Sequence, residues 1–470
     1  NDNSFPAVLS VDGRFVAFGS GASNLVTGDF NSLPDVFLYD RQAHSTVALS
    51  LAQDGQGGGA IPDLPPAISS DGRFVIFASQ ADNLISNDDN EVSDIFVFDR
   101  ETGSLETLTL TSLGATQPRT ANGASAGPAI SDDGCLVAFY SDASNLVASD
   151  TNSARDVFVR NRCSGEIERA SVNGQGEQGD GPSEAGGGAP GISADGRFVV
   201  FFSNARNLDP ADTSGTRNIY IRDRLDGTTR LVSLGLNGEP ANGGSQTPSV
   251  SADGRFVAFQ SLASNLVADD TNGRVDVFVA DVTSGEIRLV SQNAGGASPQ
   301  GDSSTPQISS DGGAVVFQSS AQLSADDSDN FVDIYVASNP FKGGVLEPTS
   351  TATATVHETE GVQSPSATET PVGGEGTATP TPTATVFDQH PTVTPTRTAA
   401  SGIATPTPTR SAAPALPTAT AKTSGGGGGG GCGCRIDPAT GGVVPDSPLP
   451  ALVLPAVLWF LRRRIPVASK

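Results

Sequence analysis

Ser251-Ala-Asp-Gly-Arg-Phe-Val-Ala-Phe259, followed by Ala263-Ser-Asn-Leu-Val267, Asp276-Val-Phe-Val-Ala-Asp281 and Glu286-Ile-Arg-Leu-Val-Ser291, is the clearest of six copies of one pattern. The Asp of its Asp-Gly pair recurs at Asp12, Asp71, Asp133, Asp195, Asp253 and Asp311, at spacings of 59, 62, 62, 58 and 58 residues. A fixed period of this kind means that each unit cannot bury its own apolar face and must stack on its neighbours. Within a unit the apolar runs are short and are separated by turn residues, which predicts four strands rather than a helix pair. Six four-stranded sheets in series predict an all-β, six-bladed β-propeller over residues 1–341.

Each copy reads in the same order. A Pro opens a short inner strand, as in Pro66-Ala-Ile-Ser69 and Pro248-Ser-Val-Ser251, a position where no ladder donor is lost. A Ser stands two residues before every Asp: Ser10, Ser69, Ser131, Ser193, Ser251 and Ser309. Asp-Gly then turns the chain, because Gly tolerates positive φ. The second strand (Phe74-Val-Ile-Phe77), a long loop, the third strand (Asp94-Ile-Phe-Val-Phe98) and a second turn (Asp99-Arg-Glu-Thr-Gly103) complete the unit. In the sixth copy, Asp333-Ile-Tyr-Val336 leads to Ala-Ser-Asn-Pro-Phe-Lys-Gly-Gly, and no fourth strand is expected there. Ring closure would then draw a strand from upstream of Asn1. The chain lacks Met and opens within an inter-blade loop, so an upstream piece with a signal peptide is expected.

Composition narrows the function. Lys and Arg total 27 against 52 Asp and Glu, a formal net charge of −25. Nucleic acid and anionic lipid call for basic patches, so neither is an expected partner of the propeller. Cys135 starts the second strand of its repeat and Cys163 follows the third. These strands should be antiparallel neighbours whose ends meet, which suits a disulfide and an oxidising compartment.

The repeats resemble the TolB-type propeller repeat of bacterial proteins, whose hallmark is Pro-x-x-Ser-x-Asp-Gly-Arg before an apolar strand. Asp71-Gly-Arg73, Asp195-Gly-Arg197 and Asp253-Gly-Arg255 match it, while Cys135 and Gly313 replace the Arg in two copies. The resemblance implies the fold and names no activity. From 342 to 424, Thr-Pro and Thr-Ala pairs (Thr377-Ala-Thr-Pro-Thr-Pro-Thr383) predict a disordered stalk, partly polyproline II, with many hydroxyls for O-glycans. Residues 425–434 hold a glycine run with Cys432 and Cys434, and 445–470 hold an apolar run and Arg462-Arg-Arg464. This order is similar to the tripartite sorting tails of some Gram-negative bacteria, the myxobacterial type above all. That resemblance implies processing or lipidation at Cys432 or Cys434. The 13-residue run Leu449–Leu461 contains two prolines and would span only about 20 Å of a hydrocarbon layer roughly 30 Å thick. The reading is therefore a transient sorting signal, with membrane contact only through the tail.

A recurrent acidic pattern closes the loop between the second and third strands: Asp29, Asn31, Asp35; Asp88, Asn90, Asp94; Asp150, Asn152, Asp156; Asp270, Asn272, Asp276; and Asp327, Asp329, Asp333. The fourth copy degrades to Asp212, Ser214, Asn218. Alternating oxygen side chains are candidate calcium ligands, since calcium takes six to eight oxygens. The competing reading is that Asp and Asn cap turns, and repetition in every blade favours it. The Asp-Gly-Arg turns read as structural; their spacing and the missing Trp separate them from sialidase Asp-boxes.

Catalytic signals are poor. Gly123-Ala-Ser-Ala-Gly127 has the spacing of a nucleophile elbow but sits in a Gly/Ser loop. His44 is the one histidine of the repeats, so no Ser-His-Asp triad assembles. The expectation is a secreted or surface-anchored binding or scaffolding module on the outer surface of a Gram-negative bacterium. Its ligand would be a protein or glycan, met at loops such as Asn173-Gly-Gln-Gly-Glu177 and Asn237-Gly-Glu239. The alternative is a surface hydrolase of glycans or peptides that uses acidic residues on the propeller face.

Overall fold

The computed structural model describes residues 2–351, apart from 29–32, 51–63, 87, 89, 112–119, 186–187, 269, 294, 298, 325–326, 328–330 and 344–348. The chain divides into two units, 1–364 and 365–470, and the first holds every described residue. Six antiparallel sheets follow one another as blades of a propeller ring: blade 1 (4–48), blade 2 (67–107), blade 3 (125–169), blade 4 (183–231), blade 5 (245–289) and blade 6 (303–351). Each blade is ordered first strand to fourth from the inside out. All named elements are strands.

The second and third strands are six residues long in every blade and pair over their whole length, for example from Phe256↔Asp281 to Ser261↔Asp276. Both faces of these strands are covered, so they read as continuous apolar runs. Phe74–Ser79 and Phe256–Ser261 are buried at all six positions. Side-chain alternation sends the two halves of each run to opposite neighbours. Val200, Phe202, Ile219 and Ile221 of blade 4 face Val257, Phe259 and Phe278 of blade 5. The same division builds the cores between blades 1 and 2, 2 and 3, 3 and 4, and 5 and 6. Within each blade one aromatic pair bridges the second and third strands, as in Phe77 with Phe96 and Phe201 with Tyr220, at centroid separations of 5.8 and 6.0 Å.

The Ser-x-Asp-Gly-Arg connection is a five-residue bracket. In blade 5 the Ser251 hydroxyl donates to Asp253 Oδ1 (2.6 Å) and accepts from the Phe256 N–H (3.0 Å). The Arg255 N–H donates to the same Asp253 oxygen at 3.0 Å. Arg255 then reaches Asp281 at the end of the third strand (2.8 Å) and lies over the Phe256 ring. Blades 1, 2 and 4 repeat this clamp with Arg14–Asp40, Arg73–Asp99 and Arg197–Asp223. The guanidinium beside them holds the carboxyls of Asp40 and Asp99 well below the usual range. In blade 3 a Cys135–Cys163 disulfide takes the place of the clamp.

Backbone bonds link successive brackets. The N–H of Val11 donates to Ser70 O, that of Asp132 to Ala194 O, that of Ala194 to Ala252 O and that of Ala252 to Ser310 O, at 2.9 to 3.1 Å. The bracket glycines of blades 2 to 6 are also pressed by the preceding blade. A Cβ at Gly72, Gly134, Gly196, Gly254 or Gly312 would come within 3 Å of Phe15, Phe74, Leu136, Phe198 or Phe256 respectively.

Two expectations are corrected. The sixth blade is not missing its outermost strand: Thr349–Thr351 pairs with the third strand from Val336↔Thr349 to Ile334↔Thr351. This strand lies beyond position 341, in sequence assigned to the stalk, and no strand from upstream of Asn1 is needed to complete the blade. A three-residue Thr-Ser-Thr edge strand carries β-branched propensity but no apolar alternation, which hid it. Nor does Pro always open the inner strand. It precedes short strands in blades 2 and 4 (Pro66 and Pro190), but Pro6, Pro128, Pro248 and Pro306 lie inside six-residue strands at register shifts. A bulge leaves one residue outside the ladder, so a missing N–H costs nothing there.

The face of blade 6 that corresponds to the one each earlier blade packs on its successor differs from those of blades 4 and 5. Val316 and Ile334 are 40% and 39% exposed, whereas their counterparts Val200, Ala258, Ile219 and Val277 are fully buried. Ala314 stands where blades 1, 2, 4 and 5 have Phe.

One bracket glycine and one glycine of the second turn allow a paired test. Gly254 and Gly285 share a φ near +70° (+72° and +75°), but only Gly254 is pressed by a neighbouring ring. Gly285→Ala should cost about 1–2 kcal/mol through backbone strain alone. Gly254→Ala should cost about 3–5 kcal/mol, because overpacking adds to that strain. Denaturant midpoints of the two variants measure the difference.

Candidate functional site

The acidic loops of blades 2, 3 and 5 share one architecture. The last Asp of the pattern is the first residue of the third strand and is buried: Asp35, Asp94, Asp156 and Asp276 are at most 1% exposed. Its Oδ1 accepts a hydroxyl from the end of the fourth strand, from Ser50, Thr109, Ser171 or Ser291. The middle Asn does not offer its oxygen to the loop centre. Its amide NH2 donates to that Asp, at 2.7 Å from Asn90, 3.0 Å from Asn152 and 2.8 Å from Asn272. The same NH2 donates across to a carbonyl of the next inter-blade segment, that of Ala121, Gly179 or Pro299. The Asn Oδ1 accepts the N–H two residues on, as an Asx turn requires. These bonds describe a strap between strands and account for the repetition without a ligand. Among the described residues, no group of three or more His, Cys, Asp or Glu side chains could hold a metal ion. Asp29, Asn31, Asp329, Cys432 and Cys434 lie outside the described residues.

In blades 2 to 5 the side chain of the first Asp of the pattern is also buried, and its partner changes from blade to blade. In blade 3, Arg169 stands 3.3 Å from Asp150 and 3.5 Å from Asp156. In blade 4 the Tyr220 hydroxyl donates to Asp212, and in blade 6 Tyr335 donates to Asp327 at 2.5 Å. Burial works against the Asp212 charge, but bonds from Tyr220, Ser214 and Asn218 bring its pKa below the ordinary value. In return, burial and Asp212 push the Tyr220 hydroxyl far up. Asp270 of blade 5 is 5% exposed, and its Oδ1 is buried without a hydrogen-bond partner. Burial, and then the charge of Asp276, raise its pKa to about 6. Arg169, Tyr220 and Tyr335 escaped the sequence reading. Register alignment of the repeats would have exposed Arg169 as an Arg at a position held by Thr107, Leu231 and Leu289 in its siblings.

The nucleophile-elbow spacing has a structural explanation. Ser125 is fully buried at the start of an inner strand, and its hydroxyl donates to Ser141 Oγ at 2.8 Å. Ser183–Ser203, Ser245–Ser261 and Ser303–Ser319 repeat this pair. His44 is exposed, and its Nδ1 is 3.2 Å from the Tyr39 hydroxyl.

The loops expected to meet a ligand border real concavities. Asn173–Gln175 forms one wall of a cleft of about 590 Å³, with Arg206, Asp209, Asp226 and Arg230 around it. A second cleft of about 600 Å³ lies on the other side of that loop, beside Ser149, Glu168, Glu177 and Gln178. The loop is held by its own bonds: Asn173 Nδ2 donates to Glu177 at 2.9 Å, and Asn173 Oδ1 accepts the N–H groups of Gln175 and Glu177. The Asn237–Glu239 loop is tied elsewhere, with Glu239 near Asn265 Nδ2 (3.4 Å).

No family model matches the chain, and no curated protein matches it either. Solved structures do. TolB from Acinetobacter baumannii aligns at 16% identity over 70% of this chain, with a TM-score of 0.38; the chain spans 62% of that protein's length. An oligogalacturonate lyase from Vibrio parahaemolyticus aligns at 15% identity over 73% of this chain and 79% of its own, TM-score 0.43. A prolyl endopeptidase structure aligns at 13% identity over 74% of this chain and 42% of its own, TM-score 0.46.

In metal-free buffer the Asp270 carboxyl should titrate near pH 6, readable by carboxyl-carbon NMR. Its folded pKa lies above the unfolded value of about 3.9, so the group favours the folded state at low pH. That contribution is lost as pH rises from about 4 through 6. Asp270→Asn should flatten this part of the stability–pH curve.

Proposed function

We propose that the propeller is a binding module for a polyhydroxylated ligand, a glycan chain above all, seated in the cleft beside Asn173–Gln175. The observation that carries this reading is the character of that cleft. Amide, guanidinium, carboxylate and hydroxyl groups converge there from a loop, an outer strand and an inter-blade segment. A sugar presents donors and acceptors on every face, and such a mixed wall can pair both. Gln175 and Arg230 are exposed and hold no bracket together, so they are free to meet a ligand without cost to the fold. Buried, hydrogen-bonded Ser125 and a single exposed histidine in the described residues give a hydrolase no comparable support.

The location proposed for this module is the outer surface of a Gram-negative cell. The disulfide fits an oxidising compartment, and the order of Gly run, cysteines, apolar run and basic end in the sequence fits a sorting tail.

A glycan array probed with the 1–364 unit should give saturable binding. Gln175→Ala and Arg230→Ala should each weaken it about tenfold, the loss of one charged or amide hydrogen bond. Binding confined to peptides, or untouched by both substitutions, would remove the cleft from the reading. Intact-mass analysis of protein from the native host tests the destination: cleavage near Cys432 or Cys434 is expected, and a cytoplasmic chain still ending in Lys470 would overturn it.

A further inference from the structure

Blades 3, 4 and 6 give three solutions to one local problem; in blade 2 Asp88 is bonded to Asp94 itself, and blade 5 has none of these partners. In blades 2 to 5 the first Asp of the acidic loop is drawn inside, and a buried carboxylate needs a compensating partner. Two register positions supply that partner, and they face each other across the third and fourth strands. In blade 3 the pair is Phe158↔Arg169, and the guanidinium serves. In blade 4 it is Tyr220↔Leu231, and the phenol serves. In blade 6, Tyr335 again serves. In blade 5 the pair is Phe278↔Leu289, with neither a hydroxyl nor a charge.

The rest of the blade-5 loop has kept the acidic arrangement. Asp276 accepts from Ser291 at 2.6 Å and from Asn272 at 2.8 Å, as Asp156 does from Ser171 and Asn152 in blade 3. Two carboxylates therefore remain, as in blade 3, while the cation that blade 3 places between them is gone. Asp270 Oδ1 is the atom left over, buried and unbonded. A carboxylate has about four acceptor sites, so Asp270 retains capacity for a further positive partner.

We propose that blade 5 binds a hard divalent cation, calcium, between Asp270 and Asp276, at the place that the Arg169 guanidinium occupies in blade 3. The donors on offer are carboxylate and carbonyl oxygens in a loop. That set suits calcium, which accepts irregular oxygen coordination, better than magnesium, which demands near-ideal octahedra. Asn272 is not a ligand in this arrangement: its NH2 faces Asp276, and it orients that carboxylate. The proposal is confined to blade 5 and is independent of the ligand cleft.

The experiment is calcium titration of the full chain after chelation, followed by calorimetry and by melting temperature. Wild type should bind one calcium with a dissociation constant on the order of 10⁻⁴–10⁻³ M, the range of extracellular modules. Its melting point should rise about 2–4 °C at saturating metal. Magnesium at the same concentration should do less. Leu289→Arg and Phe278→Tyr, which copy blades 3 and 4, should abolish the calcium response while melting no lower than the metal-free wild type. Asp270→Asn should also abolish it. The proposal is overturned if the calorimeter detects no binding to wild type at about 5 mM calcium. It is equally overturned if binding persists undiminished in Asp270→Asn and Leu289→Arg.

Discussion

An aromatic ring pressed onto a glycine is the contact on which the ring of blades depends. In blades 1 to 5 the first side chain of the second strand, Phe in blades 1, 2, 4 and 5 and Leu in blade 3, packs on the Gly of the following bracket, where no Cβ fits. Glycine is needed there twice over, for its positive φ and for its absent side chain. Placing that glycine requires the Ser–Asp bracket, and holding the Phe requires the Arg that lies over its ring and salt-bridges to the third strand. The consensus residues of the repeat are thus one connected device. The apolar alternation of the second and third strands then fills the space that the device defines.

This explains what could be read from the sequence. The Asp-Gly spacing and the apolar runs sufficed for six four-stranded blades because they are the interlock and its filling. The Cys135/Cys163 pair was legible because Cys135 takes the place of the clamp Arg and Cys163 lies just past the end of the paired third strand. The edge strand Thr349–Thr351 was not, since hydroxyl-bearing residues at a sheet edge leave no periodic apolar signal. The bulged prolines were missed because the innermost strands tolerate a register shift that a two-residue alternation does not show.

The acidic loops were legible as a pattern, and the bonds inside them were not. Asp-x-Asn-x-x-x-Asp looks like a row of oxygen ligands, yet the Asn turns its nitrogen inward and bridges two segments. The informative signal lay in the differences between copies. Arg169, Tyr220 and Tyr335 each answer the same buried charge, and Leu289 with Phe278 does not. In a repeat protein, the siblings of a residue provide an internal reference that a single domain lacks.

The interlock also has a direction. Blades 1 to 5 each offer an apolar side chain, a ring in all but blade 3, to the bracket glycine of the blade after, so the stack is polar, like a head-to-tail polymer. A duplicated repeat inserted between blades 4 and 5 would find both of its neighbours compatible. The same repeat added after blade 6 would meet Ala314, which has no ring to offer. Gain and loss of blades in this architecture should therefore occur by internal duplication rather than by growth at the carboxyl end.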